Sequence, residues 1–423
     1  MNLTPEQEEL GRRNFLKALA GTPALAAFGA AAALRGPVRG GPVRVGFIGV
    51  GGQGRGLLRN TDAAFAEVRA LCDINPKHLA AADEILLAAK KPAARHYEDW
   101  KEMLQKEDIE AVVMAPPLFL HAEMAAGCLE AGKHVLCEKM MAWDEAGCRR
   151  MNEAAQKSGK VLEIGYQRNY NPVYQAAYEG IVRAGVLGDV YHARLAWHRN
   201  GNWRRKEEPP PGFEPTRWGY PSWEHVVNWR LYWKYSKGLL AELASHQVNI
   251  ANWFFDAIPQ AVSGTGGVYR FKDGREVEDH IYVTFEYPQD RTVVFSSIES
   301  NAFDEYYEMF MGTKGTLILR REVDAMLFEE GGQGRTAVEV VPRGSGPALE
   351  SSETRPETAG ARGAASVTTV ERPASYRLEI SEFCASVRTG RPLRCGPDKA
   401  IGSAVACLAA NRAVQTRSRV ELT

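Results

Sequence analysis

The sequence lacks an excess of charge of either sign, since Lys+Arg and Asp+Glu each number 52 among its 423 residues. A neutral chain gives no electrostatic reason to bind nucleic acid or an anionic membrane. Its most apolar N-terminal stretch is interrupted by Gly21, Pro23 and Gly29, which makes it a poor membrane span. The hydrophobic share of 45% is typical of a globular protein, and the length favours two or three domains.

Closely spaced cysteines are also missing. No pair has C-x-x-C spacing, so the sequence indicates neither a zinc site nor a redox motif, and we expect no metal. A chain of this size has no need of a disulfide framework. We therefore expect buried thiols at all seven positions: Cys72, Cys128, Cys137, Cys148, Cys384, Cys395 and Cys407.

Residues 1–36 have the pattern of a signal peptide. Arg12 and Arg13 precede an Ala/Gly-rich apolar run that ends at Leu34, and a basic region followed by an apolar one is typical of export signals. The paired arginines are similar to a twin-arginine signal. This predicts export to the periplasm by the twin-arginine machinery. The alternative is an amphipathic N-terminal helix in which the basic pair is fortuitous.

A glycine-rich turn follows the first predicted strand, which begins at Val43. The turn reads G-x-G-x-x-G and contains Gly49, Gly51, Gly52, Gln53 and Gly54. Strand before and helix after are the context of a dinucleotide-binding motif. A second strand ends at Asp73, 19 residues after Gly54, where a carboxylate binds the adenosine ribose. We therefore predict NAD, with NADP possible; the alternative is a glycine turn in another kind of α/β protein.

Strands and helices alternate from residue 43 to 166, which predicts a doubly wound parallel sheet in an N-terminal Rossmann domain. Ligands of such sheets bind at the carboxyl ends of the strands. Lys139 ends one of these strands, so we expect it beside the nicotinamide. The alternative is a solvated lysine that closes a strand.

From residue 167 to 423 the pattern changes to strands joined by short turns, which predicts a mostly antiparallel sheet. The fold class is thus α/β, with a Rossmann sheet and a C-terminal α/β domain built on a large open sheet. Residues 331–373 contain no aromatic side chain. We interpret them as a low-complexity surface insertion, partly disordered.

Six of the nine tryptophans lie between residues 197 and 233, with arginines interleaved. Aromatic faces stack on sugar rings, and guanidinium groups bind hydroxyls or carboxylates. This cluster supplies candidate substrate contacts, although a subunit contact would also use such residues. Single-stranded nucleic acid is disfavoured by the neutral chain. The candidates are Trp203, Arg204, Trp229, Arg230 and Tyr232.

A predicted helix over residues 238–255 is apolar except for one polar stripe. Glu242, His246, Asn249 and Trp253 follow one another at helical spacing. A carboxylate and an imidazole on a buried helix are costly unless they are paired or used, and a carboxylate tunes a neighbouring imidazole for proton transfer. The alternative is a histidine that is merely satisfied in the core.

These residues give the chain a resemblance to the Gfo/Idh/MocA oxidoreductases. The segment LEAGKHVLCEKMMA, residues 129–142, resembles the family signature A-G-K-H-V-x-x-E-K-P, with Met140 in place of proline. The family's catalytic lysine falls on Lys139. The acid and histidine of its D-x-x-x-H helix fall on Glu242 and His246. The segment GYQRNYNP, residues 165–172, resembles the part of the family that enters beside the nicotinamide.

The resemblance implies hydride transfer between a sugar-like hydroxyl and nicotinamide, in a homodimer or homotetramer. An NAD-dependent redox-neutral glycoside hydrolase on the same fold is the first alternative, and a non-catalytic sugar- or dinucleotide-binding module is the second. The resemblance also implies further cofactor contacts at Ala115, Pro116, His121, Glu138, Lys139 and Gln167, and further substrate contacts at Arg168, Asn169 and Asn249.

Overall fold

The computed structural model describes residues 3–20, 22, 40–330, 338–343, 346–351 and 372–422. Two large sheets form its framework, and the first occupies the N-terminal half. Its strands are β1 (Val43–Ile48), β2 (Ala66–Cys72), β3 (Arg95–Tyr97), β4 (Ala111–Met114), β5 (His134–Glu138) and β6 (Leu162–Gly165). The helices of this half are α1 (Pro5–Leu19), α2 (Gly52–Arg59), α3 (Pro76–Ala88), α4 (Trp100–Lys106), α5 (His121–Glu130) and α6 (Glu145–Ser158).

The first sheet is all parallel and has the order β3-β2-β1-β4-β5-β6, which is the doubly wound order of a dinucleotide-binding domain. Local chemistry fixes its helices. The Asn75 side chain caps α3, with Pro76 in the first turn. The Asp144 side chain caps α6, which ends at Gly159 with a φ of 64°.

The strands of the second sheet are β7 (Val190–His198), β8 (Ala261–Gly267), β9 (His280–Tyr287), β10 (Arg291–Ile298), β11 (Tyr306–Gly312), β12 (Gly315–Arg320), β13 (Asp324–Glu329) and β16 (Val420–Glu421). Their order across the sheet is β13-β12-β11-β7-β10-β9-β8-β16. Among these described strands only the β7–β10 pair is parallel, so the predicted mostly antiparallel sheet is confirmed.

Helices cover one side of this sheet and connect it to the first. They are α7 (Pro172–Ala177), α8 (Trp223–Val227), α9 (Ser245–Phe255), α10 (Arg372–Thr389) and α11 (Pro397–Thr416). Helix α10 returns to the N-terminal half, where Ile380, Phe383 and Cys384 lie in the same apolar cluster as Val45 and Phe47. The Rossmann sheet is therefore closed on one face by a helix from the far end of the chain.

Helix α1 packs against strand β13. Phe15 and Leu19 are fully buried, and a Cβ added at Gly11 would lie 2.6 Å from the Phe328 ring. The Arg12 guanidinium donates to Asp324 over 2.7–2.8 Å. The segment that carries the arginine pair is thus a docked amphipathic helix. Most of the predicted apolar run, which ends at Leu34, lies outside the described residues.

The region predicted as an insertion is described in part. A two-stranded hairpin joins β14 (Val338–Arg343) to β15 (Gly346–Ser351), and the remaining residues from 331 to 371 lie outside the described ranges. All seven cysteines are buried and free, as predicted. In the part of the chain that the structure describes, no helix is both long and apolar enough to cross a bilayer.

Candidate active site

The turn after β1 presents backbone rather than side chains. Gly49 has a φ of 78°, a conformation that glycine adopts without steric cost. A Cβ added at Gly54 would lie 1.9 Å from the carbonyl oxygen of Gly49, so only glycine fits there. Helix α2 begins directly after this turn, at Gly52. The N–H groups of its first turn can therefore bind an anion such as a pyrophosphate.

Asp73 lies beside this turn, at the carboxyl end of β2. Its carboxylate accepts hydrogen bonds from the backbone N–H of Val50 and of Asn75, both at 2.8 Å. The ring nitrogen Nδ1 of His78 lies 3.2 Å from both oxygens. A carboxylate has about four acceptor positions, so Asp73 retains capacity for ribose hydroxyls.

A cleft of about 540 Å³ runs along this edge of the sheet. One wall is formed by the Rossmann half and includes Gly49, Gly51, Gly52, Gln53, Asp73, Ala115 and Pro116. The other wall is formed by the tryptophan-rich segment of the second half. A glycine turn, a helix N-terminus and a carboxylate on one cleft fit a dinucleotide cofactor.

Lys139, Glu242 and His246 lie close together at the junction of the two halves. The Lys139 ammonium donates to the backbone carbonyl oxygen of Glu242 at 2.8 Å. Arg230, on the wall of the cleft, donates to the Glu242 carboxylate at 2.9 Å. His246 is 7% exposed and lies in the first turn of α9. Arg230 thus connects a cluster of a cation, a carboxylate and an imidazole to the cleft, although those three side chains are not among the residues that line it.

A π-helical turn shapes this junction. Leu240–Ala244 forms a π turn that runs directly into α9, and such turns occur frequently at functional sites. The turn carries Glu242, so its carboxylate and the His246 ring are offset from the simple helical stripe that the sequence predicts. The His246 ring lies between two aromatic rings, with centroids 5.8 Å from Trp197 and 6.1 Å from Tyr166.

Electrostatics set the charges of this cluster. Burial lowers the pKa of the Lys139 ammonium, and the Glu242 and Glu138 carboxylates partly offset that effect. Burial by itself would raise the pKa of Glu242, but Arg230 and Lys139 hold it below its ordinary value. Glu242 is therefore ionised at neutral pH, beside an ammonium that releases its proton more readily than an exposed lysine does.

Glu138 and His121 support the cofactor side of the site. Glu138 accepts a hydrogen bond from the Gln53 side chain at 2.5 Å and one from the Lys139 backbone at 3.1 Å. The His121 ring nitrogens lie 2.9 Å from the Met140 carbonyl oxygen and 3.1 Å from that of Pro116. Neither residue is among those that line the cleft, and their hydrogen bonds hold the loops around it in place. Their contacts with the cofactor stay predictions.

Gln167 and Arg168 lie in a buried network and not among the residues that line the cleft, so their contacts with cofactor and substrate stay predictions. The Arg168 side chain is 1% exposed, and its guanidinium pairs with Glu308 and Glu322. Gln167 donates to the same Glu322 at 3.3 Å. A buried guanidinium needs paired carboxylates, and this network ties the segment after β6 to the second sheet.

Asn169 and Asn249 form a second internal contact. The Asn169 amide donates to the Asn249 side-chain oxygen at 2.7 Å, and Asn249 donates to Ser403 of α11 at 3.2 Å. Both asparagines are at most 4% exposed. They therefore join α9 to its neighbours, and neither lines the cleft as a substrate contact would.

The tryptophan-rich candidates divide into two groups. Trp229 and Arg230 line the cleft. Arg204 pairs instead with Asp273 and Glu224, and the Tyr232 ring stacks on His225 with centroids 4.1 Å apart. The Arg199 guanidinium lies over the Trp203 ring, with its carbon 4.0 Å from the ring centroid. These last three candidates brace the segment from within.

Sequence reasoning missed several residues that line the cleft. The density of tryptophan and arginine signals the segment, but not which side chains face the cleft. The missed residues include Asn75, His78, Trp100, Arg205, Trp218, Tyr220 and Trp223.

Comparison with protein families gives two matches that together cover most of the chain. Residues 43–166 match the Gfo/Idh/MocA oxidoreductase family, NAD-binding Rossmann fold, and residues 180–422 match the C-terminal alpha/beta domain of the same family. The first match confirms NAD as the cofactor of the N-terminal half.

Among curated proteins, the chain is similar to an inositol 2-dehydrogenase of Salmonella typhimurium, with 33% identity over 158 residues, 36% of this chain and 45% of that protein. It is also similar to glycosyl hydrolase family 109 protein 1 of Bacteroides fragilis, with 31% identity over 251 residues, 56% of this chain and 50% of that protein. The chain thus spans about half the length of these relatives.

Solved structures share the fold at low identity. A levoglucosan dehydrogenase in complex with NADH and L-sorbose has a TM-score of 0.67 and 17% identity, over 90% of this chain and 99% of that one. A scyllo-inositol dehydrogenase from Lactobacillus casei with bound NAD(H) and scyllo-inositol has a TM-score of 0.64 and 16% identity, over the same shares.

Proposed function

The chain belongs to the Gfo/Idh/MocA oxidoreductase family, and we propose that it transfers a hydride between NAD and a secondary hydroxyl of a sugar or sugar-like polyol. The observation that carries the proposal is the convergence of Lys139, Glu242 and His246 at the edge of a dinucleotide cleft. Catalysis of this kind needs a positioned proton acceptor beside the reacting carbon. The imidazole supplies that acceptor, and the ammonium supplies a hydrogen-bond donor for the oxygen on which negative charge develops.

Each of these residues has a distinct proposed role. When bound, the nicotinamide ring supplies the hydride acceptor. His246 takes the proton of the substrate hydroxyl, and Lys139 hydrogen-bonds the oxygen on which negative charge develops. Glu242 holds Lys139 through its backbone carbonyl and, through its carboxylate, favours the charged ammonium. A preorganised cation at the developing charge stabilises the transition state.

Relatives support the substrate class. One curated relative is named an inositol 2-dehydrogenase, and two neighbours in fold were solved with L-sorbose or scyllo-inositol. Polyhydroxylated rings are therefore the substrates to test first. The experiment identifies the nucleotide released from the purified protein by mass spectrometry, then screens a panel of sugars and polyols for reduction of the bound NAD. If no compound in the panel reduces the bound NAD to NADH, the proposed dehydrogenase activity is contradicted.

A redox-neutral glycoside hydrolase is the second candidate function, because a relative that matches over 251 residues is named a glycosyl hydrolase family 109 protein. Such an enzyme would oxidise a ring carbon, eliminate the aglycone, add water and return the hydride, so that NAD is regenerated. Nitrophenyl glycosides distinguish the candidates. Release of nitrophenol without accumulation of NADH supports the hydrolase, and NADH accumulation with a free polyol supports the dehydrogenase. Bound ligand without either product would indicate a non-catalytic binding module.

We also propose that the protein is exported by the twin-arginine route and assembles as a homodimer or homotetramer. The docked α1 makes the export test sharper, because Arg12 is paired with Asp324 whereas Arg13 is exposed. Arg13→Lys should block export with little effect on folding. Unchanged periplasmic yield for Arg12→Lys/Arg13→Lys would contradict this route. Analytical ultracentrifugation of the purified protein tests the assembly.

A further inference from the structure

The second wall of the cleft is a single stretch of chain, residues 203–235, which we name the strap. It contains helix α8 and two short 3₁₀ turns, Pro215–Trp218 and Trp229–Leu231. It supplies a third of the residues that line the cleft: Arg205, Glu207, Arg217, Trp218, Tyr220, Trp223, Val226, Val227, Trp229 and Arg230. The strap therefore faces the glycine turn and Asp73 across the space that a dinucleotide would fill.

Several side-chain contacts fasten the strap to the Rossmann half. The Trp143 indole donates to the Trp233 carbonyl oxygen at 3.2 Å, and the Phe119 ring packs against Tyr220 and Tyr235. The Asn75 amide donates to the Glu207 carboxylate at 3.1 Å. The Lys77 ammonium donates to the Glu208 carbonyl oxygen at 2.7 Å. Arg217 forms an exposed ion pair with Glu98 at 3.2 Å. Two of these contacts lie directly after Asp73, at the adenosine end of the cleft.

The strap is also braced internally. The Trp223 indole donates to the Glu207 carbonyl oxygen, and the Asn228 side chain bonds the backbone of Arg205 in both directions, at 2.7 and 3.1 Å. Tyr220 and Tyr235 pack together in an apolar cluster with Leu231 and Val277. These contacts give the strap a defined shape of its own, and its links to the Rossmann half decide whether it stays closed over the cleft.

Arg205 differs from the other arginines of the strap. Arg204, Arg217 and Arg230 each have a carboxylate partner. Among the described residues, none forms a hydrogen bond or ion pair with the Arg205 guanidinium, which is exposed on the cleft. Its charged neighbours are Arg230, Glu207, Glu242 and Arg55. Arg205 lines the same cleft as Gly52 and Gln53, which lie in the first turn of α2.

We propose that the strap clamps the dinucleotide in the cleft and that Arg205 is its ligand for the pyrophosphate. A free guanidinium opposite the N-terminus of α2 meets the pyrophosphate from the side that the glycine turn leaves open. The aromatic side chains of the strap enclose the adenosine half, so release of the cofactor requires the strap to detach. The proposal concerns NAD binding alone and does not depend on the substrate.

Binding measurements with NADH, ADP and adenosine test Arg205. Charge-assisted hydrogen bonds are stronger than neutral ones. Arg205→Ala should therefore lower the affinities for NADH and ADP by the same factor, about 10- to 100-fold, and leave the affinity for adenosine unchanged. Lys206→Ala is the matched control, since Lys206 is adjacent, exposed and absent from the cleft wall. Wild-type affinity for NADH in Arg205→Ala, or an equal loss for adenosine, would overturn the assignment.

The release rate tests the clamp. Protein loaded with NADH is mixed with excess NAD, and the loss of NADH fluorescence is followed in time. Lys77→Ala/Arg217→Ala removes two fastenings and should accelerate release several-fold, because exposed contacts of this kind contribute about 0.2–1 kcal/mol each. Arg95→Ala, which removes the Glu107 pair on the same edge of the sheet, should release NADH at the wild-type rate. Wild-type release from the double variant would overturn the clamp.

Discussion

The two walls of the cleft hold a ligand by different means. The glycine wall offers backbone N–H groups, and its shape is fixed by strand and helix hydrogen bonds around Gly49 and Gly54. The strap offers side chains, and its shape is fixed by contacts such as Trp223 to Glu207. A backbone site on regular elements is rigid and admits few substitutions. A side-chain site on a loop can open, so the first wall positions the cofactor and the second controls its exchange.

The catalytic cluster joins the two walls. Lys139 comes from the strand end of the Rossmann half, whereas Glu242 and His246 come from the helix that follows the strap. Arg230 of the strap holds the Glu242 carboxylate, so the strap also contacts the catalytic cluster. Four changes test the division of roles between the walls, in order of decreasing expected effect.

The largest effect should follow removal of the cluster itself. A positioned proton-transfer group contributes about 10²–10⁴ in rate, so Lys139→Ala and His246→Ala should each slow reduction of bound NAD by that order in single turnovers. Cofactor affinity should change little, because the glycine wall remains. Groups that act as a unit are not additive, so the double variant should be little slower than the slower single one. Near-normal rates in both single variants would show that Lys139 and His246 have a structural role and take no part in catalysis.

The second effect tests the rigidity of the glycine wall. Gly54→Ala places a Cβ 1.9 Å from the Gly49 carbonyl oxygen, and overpacking of this kind costs about 1–3 kcal/mol. NADH affinity should fall by about 5- to 150-fold. Gly56→Ala is the matched control, because Gly56 lies on the same helix away from the cleft wall and nothing lies within 4 Å of its added Cβ. Equal NADH titrations for the two variants would show that the turn adapts and is not rigid.

Asp73 tests the choice between NAD and NADP. Loss of a hydrogen bond to a charged group costs about 1.5 kcal/mol or more, so Asp73→Ala should weaken NAD roughly tenfold and narrow its advantage over NADP. Asp73→Asn keeps the size of the side chain and removes its charge. If Asp73 disfavours NADP by repelling its 2′-phosphate, Asp73→Asn by itself should reduce the difference in affinity between NAD and NADP. If the unmodified protein bound NADP more tightly than NAD, the predicted contact between Asp73 and the adenosine ribose would be wrong.

The smallest effect is a shift in pH dependence. The Glu242 carboxylate raises the pKa of Lys139 against the effect of burial, so Glu242→Gln should lower that pKa further. The protonated ammonium is the proposed hydrogen-bond donor, and it is lost as pH rises through this pKa. The alkaline limb of the pH–rate profile should therefore move to lower pH. Glu224→Gln, which removes a partner of Arg204 in the strap, should leave that limb in place.

Local patterns were enough to predict both sheets. Alternation of strand and helix gave the parallel Rossmann sheet, and strands with short turns gave the antiparallel one. Near the end of the chain lie helices α10 and α11, at Arg372–Thr389 and Pro397–Thr416. The contact of α10 with the Rossmann sheet was not predicted, because its partners, Val45 and Phe47, are more than 300 residues away in sequence.

The site was predicted unevenly for the same reason. Gly54 and Asp73 follow from spacing along one βαβ unit. Arg168 is of a residue type that often binds ligands, but its side chain is held by Glu308 and Glu322. Glu308 lies in strand β11, and Glu322 lies in the turn before β13. Arg205 lies in the same dense cluster of arginines as Arg204. Only the folded chain shows that one is paired and the other faces the cleft.

The sequence by itself determined the candidates for the chemistry: the glycine turn, the carboxylate at Asp73, the ammonium at Lys139 and the imidazole at His246. The chemistry follows from residue type and short spacing, which the chain contains directly. The tertiary structure decided which charged side chains are free to use that chemistry. A guanidinium that meets buried carboxylates, as in Arg168, is neutralised by them, whereas one that meets none, as in Arg205, remains available to an anionic ligand. That difference depends on contacts between distant segments, which exist only once both sheets have formed.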